Sequence, residues 1–435
     1  MNQQEIRKRL ACRTPALVIL VLAIMTGLSC TPPEKRTVGP PLDRDRLDAI
    51  SQHEEARDAD PEFFATMLAH ENPHVRRAAA RALGRIQDHS SLQLLVQRAE
   101  DPYEEKGVLL EVAFALGQLH SARAYPALTP LVEHDSARVR GRAVEAIGKL
   151  KVQEGEDALP ADALLLGLRD ADPEVRGYAA LALGRRGEVS AVPQLSDCMA
   201  PEEFGEVRWR AAYALMQIED PATLPPLRRA LLDPDPWVRC FAAWGMRHPA
   251  DPMAVKKLGE LLADPHSHWT ARAQAVLSLR ELRGVGDEVQ VREVLLEHLA
   301  AETHPLVLES VLEALARGGE EQERSAIAST LEGSVSPTVE RAALIAYGQV
   351  GGDESLERFK KYVEHEDPLL RAAAAQGLGF CGAGALPMLS VLLRDPDRRV
   401  RQQAVTALGE MEGEKADVLL MRVTEDADLA VRYLA

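Results

Sequence analysis

The sequence predicts an all-α protein, a right-handed α-α superhelix (solenoid) of about 11–12 helical hairpins. One short phrase recurs along the 435 residues at intervals of about 30 to 36 positions, as expected of a repeat architecture. Each copy carries apolar residues at helical spacing. The composition combines 46% hydrophobic with only 4% aromatic residues, which suits closely packed helices, and no segment alternates as a β-strand would.

The phrase is clearest at residues 172–184, where Asp172 and a proline precede Val175, Arg176 and an apolar run that ends in Gly184. The aspartate is expected to cap a helix, and proline fits the first turn, where no N–H donor is needed. The glycine is expected to end the helix in the left-handed conformation. Other copies centre on Val75, Val139, Val207, Val238, Ala271, Val307, Val339, Leu370, Val400 and Val431, with a degenerate copy at Val108.

A second amphipathic run lies between successive phrases, for example at residues 222–232 and 385–393. Many of these runs carry an early proline, such as Pro225 or Pro387. Two antiparallel helices per repeat, stacked side by side, bury a continuous core. The solenoid is predicted to span residues 46–435.

On these residues the chain resembles proteins with short HEAT repeats of the bilin-lyase type, over about residues 60–435. In that family the arginine after the valine ties neighbouring repeats together through the capping aspartate. The resemblance therefore implies a structural role, and not a basic binding stripe, for the arginines at this position. These are Arg76, Arg140, Arg176, Arg208, Arg239, Arg371 and Arg401.

The N-terminus has the pattern of a signal peptide over residues 1–29: a basic stretch followed by a short apolar run. That run is shorter than the roughly 20 apolar residues that a membrane-spanning helix needs. It ends at residues 27–30, Gly-Leu-Ser-Cys, which resemble the lipobox of bacterial lipoproteins and imply that Cys30 is acylated. Residues 30–45 are predicted to be a Pro-rich tether. The expected location is the bacterial cell envelope, lipid-anchored and facing the periplasm, with plain secretion or an uncleaved anchor as alternatives.

Charge and cysteine content exclude several classes of function. The formal net charge of -16 argues against a nucleic-acid partner, because such binding depends on lysines and arginines that displace counterions. Cys198, Cys240 and Cys381 show no metal-ligand spacing and are expected to be small core residues.

Some families with this repeat are enzymes, and their known site residues can be compared with the residues of this chain. Deoxyhypusine hydroxylases hold two irons with His-Glu pairs inside the second helix of a repeat. Here His70-Glu71 and His365-Glu366 fall in turns between helices, and His53-Glu54 precedes the repeats. The bilin lyases and the DNA-binding HEAT proteins are disfavoured by the signal sequence and by the charge. The sequence therefore predicts no metal, no cofactor and no enzyme.

All four tryptophans lie within residues 209–269, and their helical phase suggests a binding surface. Relative to the phrase valines, Trp209, Tyr213, Trp237 and Trp244 fall away from the core stripe, whereas Phe241 falls on it. If the second helices line the concave wall, these four residues form an aromatic patch there, suited to a partner. The alternative is that they only fill a wider part of the core.

The leading prediction is a non-catalytic, membrane-tethered scaffold that binds a protein or peptide on its concave face. Two alternatives stay open: a HEAT-repeat enzyme of the bilin-lyase or metal-hydroxylase type, and a structural spacer.

Overall fold

The computed structural model describes residues 43–153, 158–247, 251–284, 288–333, 336–351, 355–411, 413–421, 423–424 and 426–434. These residues form α-helices and short 3₁₀ turns without a β-strand. The α-helices, in chain order, are α1 (Arg44–Ala56), α2 (Pro61–Leu68), α3 (Pro73–Ile86), α4 (Leu92–Ala99), α5 (Lys106–Gln118), α6 (Tyr125–Leu128), α7 (Ala137–Ile147), α8 (Asp162–Gly167), α9 (Pro173–Arg186), α10 (Val192–Asp197), α11 (Gly205–Ile218), α12 (Leu224–Ala230), α13 (Pro236–Gly245), α14 (Ala254–Ala263), α15 (Trp269–Leu282), α16 (Glu288–Ala301), α17 (Pro305–Leu315), α18 (Glu321–Glu332), α19 (Pro337–Gly351), α20 (Leu356–Val363), α21 (Pro368–Leu378), α22 (Leu386–Leu392), α23 (Arg398–Gly409), α24 (Glu414–Met421) and α25 (Leu429–Leu434).

Helices α2 to α25 pair as twelve hairpins within the described part of the chain, which confirms the predicted fold class. The even-numbered first helices are mostly short, and the odd-numbered second helices carry the repeated phrase. Successive second helices pack directly on one another, as α9 does on α11, and this second-helix layer carries most of the contacts between repeats. None of the described helices combines the length and the apolar character needed to cross a membrane.

The predicted signal peptide at residues 1–29 and the lipidation site Cys30 lie outside the described residues. The predicted tether, residues 30–45, is described only from residue 43 onward, and α1 begins there at Arg44. Both predictions about the N-terminus therefore stay predictions.

The second helices begin as the phrase predicts. The Asp172 side chain accepts the backbone N–H of Glu174 at 2.8 Å, and a proline occupies the first turn of α9. Asn72, Asp235 and Asp367 cap α3, α13 and α21 in the same way. A cap of this kind contributes about 1 kcal/mol.

Gly184 does not end its helix, contrary to the sequence prediction, whereas the equivalent Gly148 and Gly379 do cap α7 and α21, in the right-handed conformation. Gly184 lies inside α9, and the left-handed residue is Gly187, with φ of 64°. A Cβ built on Gly184 would come within 2.6 Å of the Cα of Ala214 on α11. The glycine is therefore needed because the backbones of successive second helices touch at this point.

The phrase arginines connect each repeat to the next. Arg140 donates to both carboxylate oxygens of Asp170, at 2.6 and 2.7 Å, and to the carbonyl oxygens of His134 and Asp135 in its own turn. Asp170 lies two residues before the cap Asp172 and accepts its backbone N–H at 2.8 Å. The carboxylate that receives the arginine thus differs from the capping aspartate named by the resemblance.

Five of the other six predicted arginines make equivalent pairs with a carboxylate of the following repeat. The pairs are Arg76–Glu104, Arg176–Glu203, Arg208–Asp233, Arg371–Asp395 and Arg401–Asp426. Arg239 differs, since its Nη1 donates to the carbonyl oxygen of Asp233 and its Nε has no hydrogen-bond partner among the described atoms. Arg272, which the prediction omitted, pairs with Glu302.

Candidate functional site

The four predicted aromatic residues lie on α11 and α13, two adjacent second helices, and all four are half-buried. Trp209 and Tyr213 approach Phe241 with ring centroids 5.9 and 5.1 Å away, and Trp237 approaches it at 6.5 Å. Phe241 is itself buried. It thus contacts three of the four rings, and we call Trp209, Tyr213, Trp237, Phe241 and Trp244 together the aromatic cluster.

The geometry of the second-helix layer explains why Phe241 contacts these rings. The side chain three positions after the phrase valine points to the preceding repeat. There it contacts the residue that lies two positions after that repeat's own valine. Phe241 on Trp209 follows this rule, as do Tyr178 on Gly141 and Arg210 on Gly177. The prediction that Phe241 belongs to the core is confirmed, but helical phase within one repeat does not show which residue of the neighbouring repeat it contacts.

Arginines stack on the rings of this layer. The guanidinium of Arg210 lies between Tyr178 and Trp209, 5.7 and 5.1 Å from their ring centroids. Arg247 lies 5.6 Å from the centroid of Trp244. Glu206 accepts the indole N–H of Trp209 at 2.9 Å and lies 3.4 Å from Arg210. The cluster is thus an aromatic surface that already binds cations within the chain.

Acidic and basic groups also lie on second helices in repeats before and after the aromatic cluster. Towards the N-terminus, Arg81 donates to Glu111 at 2.6 Å, and Arg77 lies 3.4 Å from the same carboxylate. Towards the C-terminus, burial and the neighbouring Glu313 raise the pKa of Glu309 above its ordinary value, against the opposing charge of Arg341. Sequence reasoning missed Glu309 as a titratable group of this face, because a helical pattern does not reveal half-burial.

The three His-Glu pairs do not converge. His53 lies on α1, stacked on Phe63 at 4.0 Å, and its Nδ1 is 3.1 Å from the Asp58 carboxylate. His70 and His365 lie in turns at opposite ends of the repeat array, before α3 and α21. Within the described residues no group of three or more His, Cys, Asp or Glu side chains is placed to hold a metal ion. The residues present therefore do not fit a metal centre made of His-Glu pairs.

The described cysteines offer no reactive nucleophile either. Cys198, Cys240 and Cys381 are free and buried. Burial raises the pKa of Cys240 to about 12 and that of Cys198 to about 11, so both thiols stay protonated at neutral pH.

The helical hairpins and the continuous layer of second helices define the class of this protein as an all-helical repeat solenoid. More specifically, the chain belongs to the family of HEAT repeats, whose family model matches residues 49–111, 104–161, 161–239, 229–316 and 362–435.

Among curated proteins the chain is similar to mammalian deoxyhypusine hydroxylases. It is 32% identical to the bovine enzyme over 191 residues, which cover 39% of this chain and 62% of that enzyme. It is 29% identical to the human enzyme over 236 residues, covering 49% of this chain and 72% of that enzyme. The match thus spans less than two thirds of the bovine relative.

This similarity overturns two predictions from the sequence, that of a non-catalytic scaffold and that the chain is not an enzyme. The relatives named here are HEAT-repeat enzymes, which favours the enzyme alternative of the metal-hydroxylase type. The error has a physical cause: the repeat phrase specifies caps, core and junctions, and these are the same whether or not a solenoid carries out a reaction.

Solved structures support the fold. The chain superposes on yeast importin-beta (Kap95p) with a TM-score of 0.57 at 12% identity, covering 90% of this chain and 62% of that one. It superposes on Kap121p with a TM-score of 0.51 at 13% identity, covering 90% and 48%. At such low identity the likeness concerns the fold alone.

Proposed function

We propose that this chain is a HEAT-repeat enzyme of the hydroxylase type that modifies a cationic side chain of a protein substrate. The observation that carries the proposal is the similarity to deoxyhypusine hydroxylases at 29–32% identity. Deoxyhypusine is a protein residue with a long, amine-bearing side chain. A substrate of the same chemistry is the one we propose here.

The charge of the chain and the aromatic cluster suit such a substrate. A net charge of -16 attracts a cationic partner over distances set by the ionic strength. Ring faces that stack on Arg210 and Arg247 are also suited to an ammonium group, since aromatic rings attract cations at about 6 Å or less. We therefore propose that Trp209, Tyr213 and Trp244 contact the substrate protein.

Hydroxylation in the named family uses iron, and the described residues do not fit the His-Glu ligand set that the family provides. The class of enzyme is thus supported by the similarity, the residues of this chain support the chemistry of the substrate, and no reaction step follows from them.

The experiment uses the full-length chain, a protein that carries deoxyhypusine, and the same protein with unmodified lysine. Mass spectrometry of the digested substrate measures the gain of one oxygen atom at the modified residue. We expect this gain only on the deoxyhypusine form. A substrate that keeps its mass after incubation with iron, reductant and oxygen would contradict the proposal.

We also propose that the enzyme is a lipoprotein of the bacterial cell envelope, anchored through Cys30 and facing the periplasm. The support is the sequence of residues 1–30, with its basic start, short apolar run and lipobox-like end. Two acyl chains anchor a protein stably, whereas one chain binds a membrane only marginally.

A further inference from the structure

The turn before each second helix contains one position whose side chain accepts a backbone N–H. At this position Asp170, Asp233, Asp395 and Asp426 each accept, through Oδ1, the N–H of the residue two positions further on, at 2.8 Å. That residue is the cap of the helix that follows. The acceptor thus fixes the chain just before the helix begins.

Histidine occupies the same position in three repeats and accepts the equivalent backbone N–H. The Nδ1 atoms of His70, His134 and His365 lie 3.1, 2.9 and 3.0 Å from the backbone nitrogens of Asn72, Ser136 and Asp367. A backbone nitrogen can only donate, so Nδ1 must be the acceptor in each case. Two of these histidines, His70 and His365, belong to His-Glu pairs.

This hydrogen bond determines the tautomer of the ring. In a neutral imidazole one nitrogen carries the proton and the other accepts, so an accepting Nδ1 leaves the proton on Nε2. A histidine that ligates a metal through Nε2 has the opposite arrangement, with Nδ1–H donating to a carbonyl or carboxylate. His70 and His365 are therefore in the wrong tautomer to bind a metal through Nε2.

The glutamates of the two pairs point to the same conclusion. The side chains of Glu71 and Glu366 are exposed, and it is their backbone carbonyls that have a role. These carbonyls accept Nη1 of Arg76 at 2.9 Å and of Arg371 at 3.1 Å. The His-Glu sequence at these sites is part of the turn that holds the phrase arginine.

The choice between histidine and aspartate follows the preceding repeat. Asp170 and Asp395 receive the guanidinium groups of Arg140 and Arg371. The repeats before His134 and His365 have Leu109 and Glu340 where the arginine would be. A partly buried carboxylate needs a cationic partner, whereas a neutral ring does not. At His134 and His365, histidine therefore fills a turn where no arginine arrives.

We infer that His70 and His365 are structural acceptors of the turn, alongside His134, and that these two His-Glu pairs form no metal centre. The inference goes beyond the proposed function, because it assigns these residues a role whether or not the chain hydroxylates a substrate. Iron that the enzyme uses would have to be held by other residues.

The test compares two double variants of the full-length chain, each changing both histidines. His70→Asn with His365→Asn keeps a side-chain oxygen that can accept the N–H, and His70→Ala with His365→Ala removes it. We expect the alanine variant to melt about 2–4 °C below the wild type and the asparagine variant to melt close to it. Iron content after reconstitution with Fe(II), measured by mass spectrometry of the metal, is expected to be equal in all three proteins.

Two results would overturn the inference: a loss of bound iron in the asparagine variant, or an alanine variant that melts like the wild type. The ¹⁵N chemical shifts of the histidine rings provide a direct reading, with protonated Nε2 expected at neutral pH and protonated Nδ1 contradicting it. Failure of the proposed function looks different: the wild type would leave a deoxyhypusine substrate unchanged, while melting, iron content and tautomer would still decide the role of the histidines.

Discussion

Arg140 and Asp170 are joined by two parallel N–H···O bonds of 2.6 and 2.7 Å across the junction of two repeats, with 18% and 8% of their side chains exposed. The same guanidinium holds two carbonyl oxygens of its own turn, so one side chain connects three segments. Planar geometry and five donors make arginine suited to this position, which lysine could not fill equally.

Arg140→Ala is expected to destabilise the chain by about 2–3 kcal/mol, because it leaves the Asp170 carboxylate partly buried and without its main partner. The measurement is urea unfolding followed by circular dichroism. Arg399→Ala provides the control, since Arg399 is exposed and pairs with Asp397 within one turn. Equal unfolding curves for Arg140→Ala and wild type would show that the junction contributes no stability.

Acid is expected to weaken the junction between α15 and α16–α17. Burial acts to raise the pKa of Glu302, but hydrogen bonds from Arg272 and from the backbone N–H groups of His304 and Thr303 outweigh it and lower that pKa to about 2. A carboxyl whose pKa is depressed on folding stabilises the folded state above its unfolded value of 4.5. That stability is lost as the pH falls through the folded value.

Glu302→Gln should therefore be less stable than wild type at pH 7 and about equally stable near pH 2. Thermal unfolding at a series of pH values measures the difference. A difference between the two proteins that stays constant from pH 7 to pH 2 would contradict the assigned cause. His298, whose Nε2 lies 2.9 Å from Glu302, is part of the same cluster, and burial lowers its pKa.

The phrase glycines provide a matched pair of substitutions. Gly184→Ala places a Cβ 2.6 Å from the Cα of Ala214, and a backbone atom cannot move aside cheaply, so a loss of about 1–3 kcal/mol is expected. Gly409 occupies the same position in a later copy of the phrase and has no neighbour within 4 Å of an added Cβ. Gly409→Ala should be neutral or slightly stabilising, since alanine favours a helix. Similar losses for both variants would show that helix contact is not the cause.

The sequence predicted features that depend on one repeat at a time. Caps such as Asp172, the buried Val175 and the helix periods are local, and local patterns are readable. Features that depend on two repeats were missed: Gly184 was assigned to a helix end, and the contact of the buried Phe241 with Trp209 was not predicted. Each involves contact with a residue about 30 positions away, which no single phrase contains.

The repeated phrase does not contain the information that indicates the function of the chain. The prediction that two of the His-Glu pairs lie in turns is confirmed. The further conclusion, that the chain is not an enzyme, did not follow from it and was wrong. Similarity to the hydroxylases extends over 191 to 236 residues, and the spacing of a few residues within one chain cannot reveal it.

Cys30→Ser is expected to abolish acylation and release the protein from the membrane fraction. A thioether-linked lipid needs the cysteine sulfur, and serine cannot supply it. Expression in a bacterial host with a radiolabelled fatty acid, followed by fractionation, measures both effects. Cys198→Ser is the control, because Cys198 is buried in the repeats. Label that persists in the Cys30→Ser protein would disprove the proposed anchor.

The aromatic cluster is expected to contribute to substrate binding more than to folding. Trp209→Ala with Trp244→Ala removes two half-buried rings that stack on Arg210 and Arg247, so some loss of stability accompanies the change. Loss of about 2–3 kcal/mol of binding corresponds to an increase of roughly 30- to 150-fold in the dissociation constant of the deoxyhypusine protein.

Tyr103→Ala is the matched control, because Tyr103 is 94% exposed and lies in a turn away from α11 and α13. Isothermal titration calorimetry of each full-length variant gives the dissociation constant, and circular dichroism confirms that the helices remain. The tryptophan variant should bind more weakly, while the tyrosine variant binds as the wild type does. If both bind equally well, the cluster serves only to pack α11 against α13, and the substrate lies elsewhere on the second-helix layer.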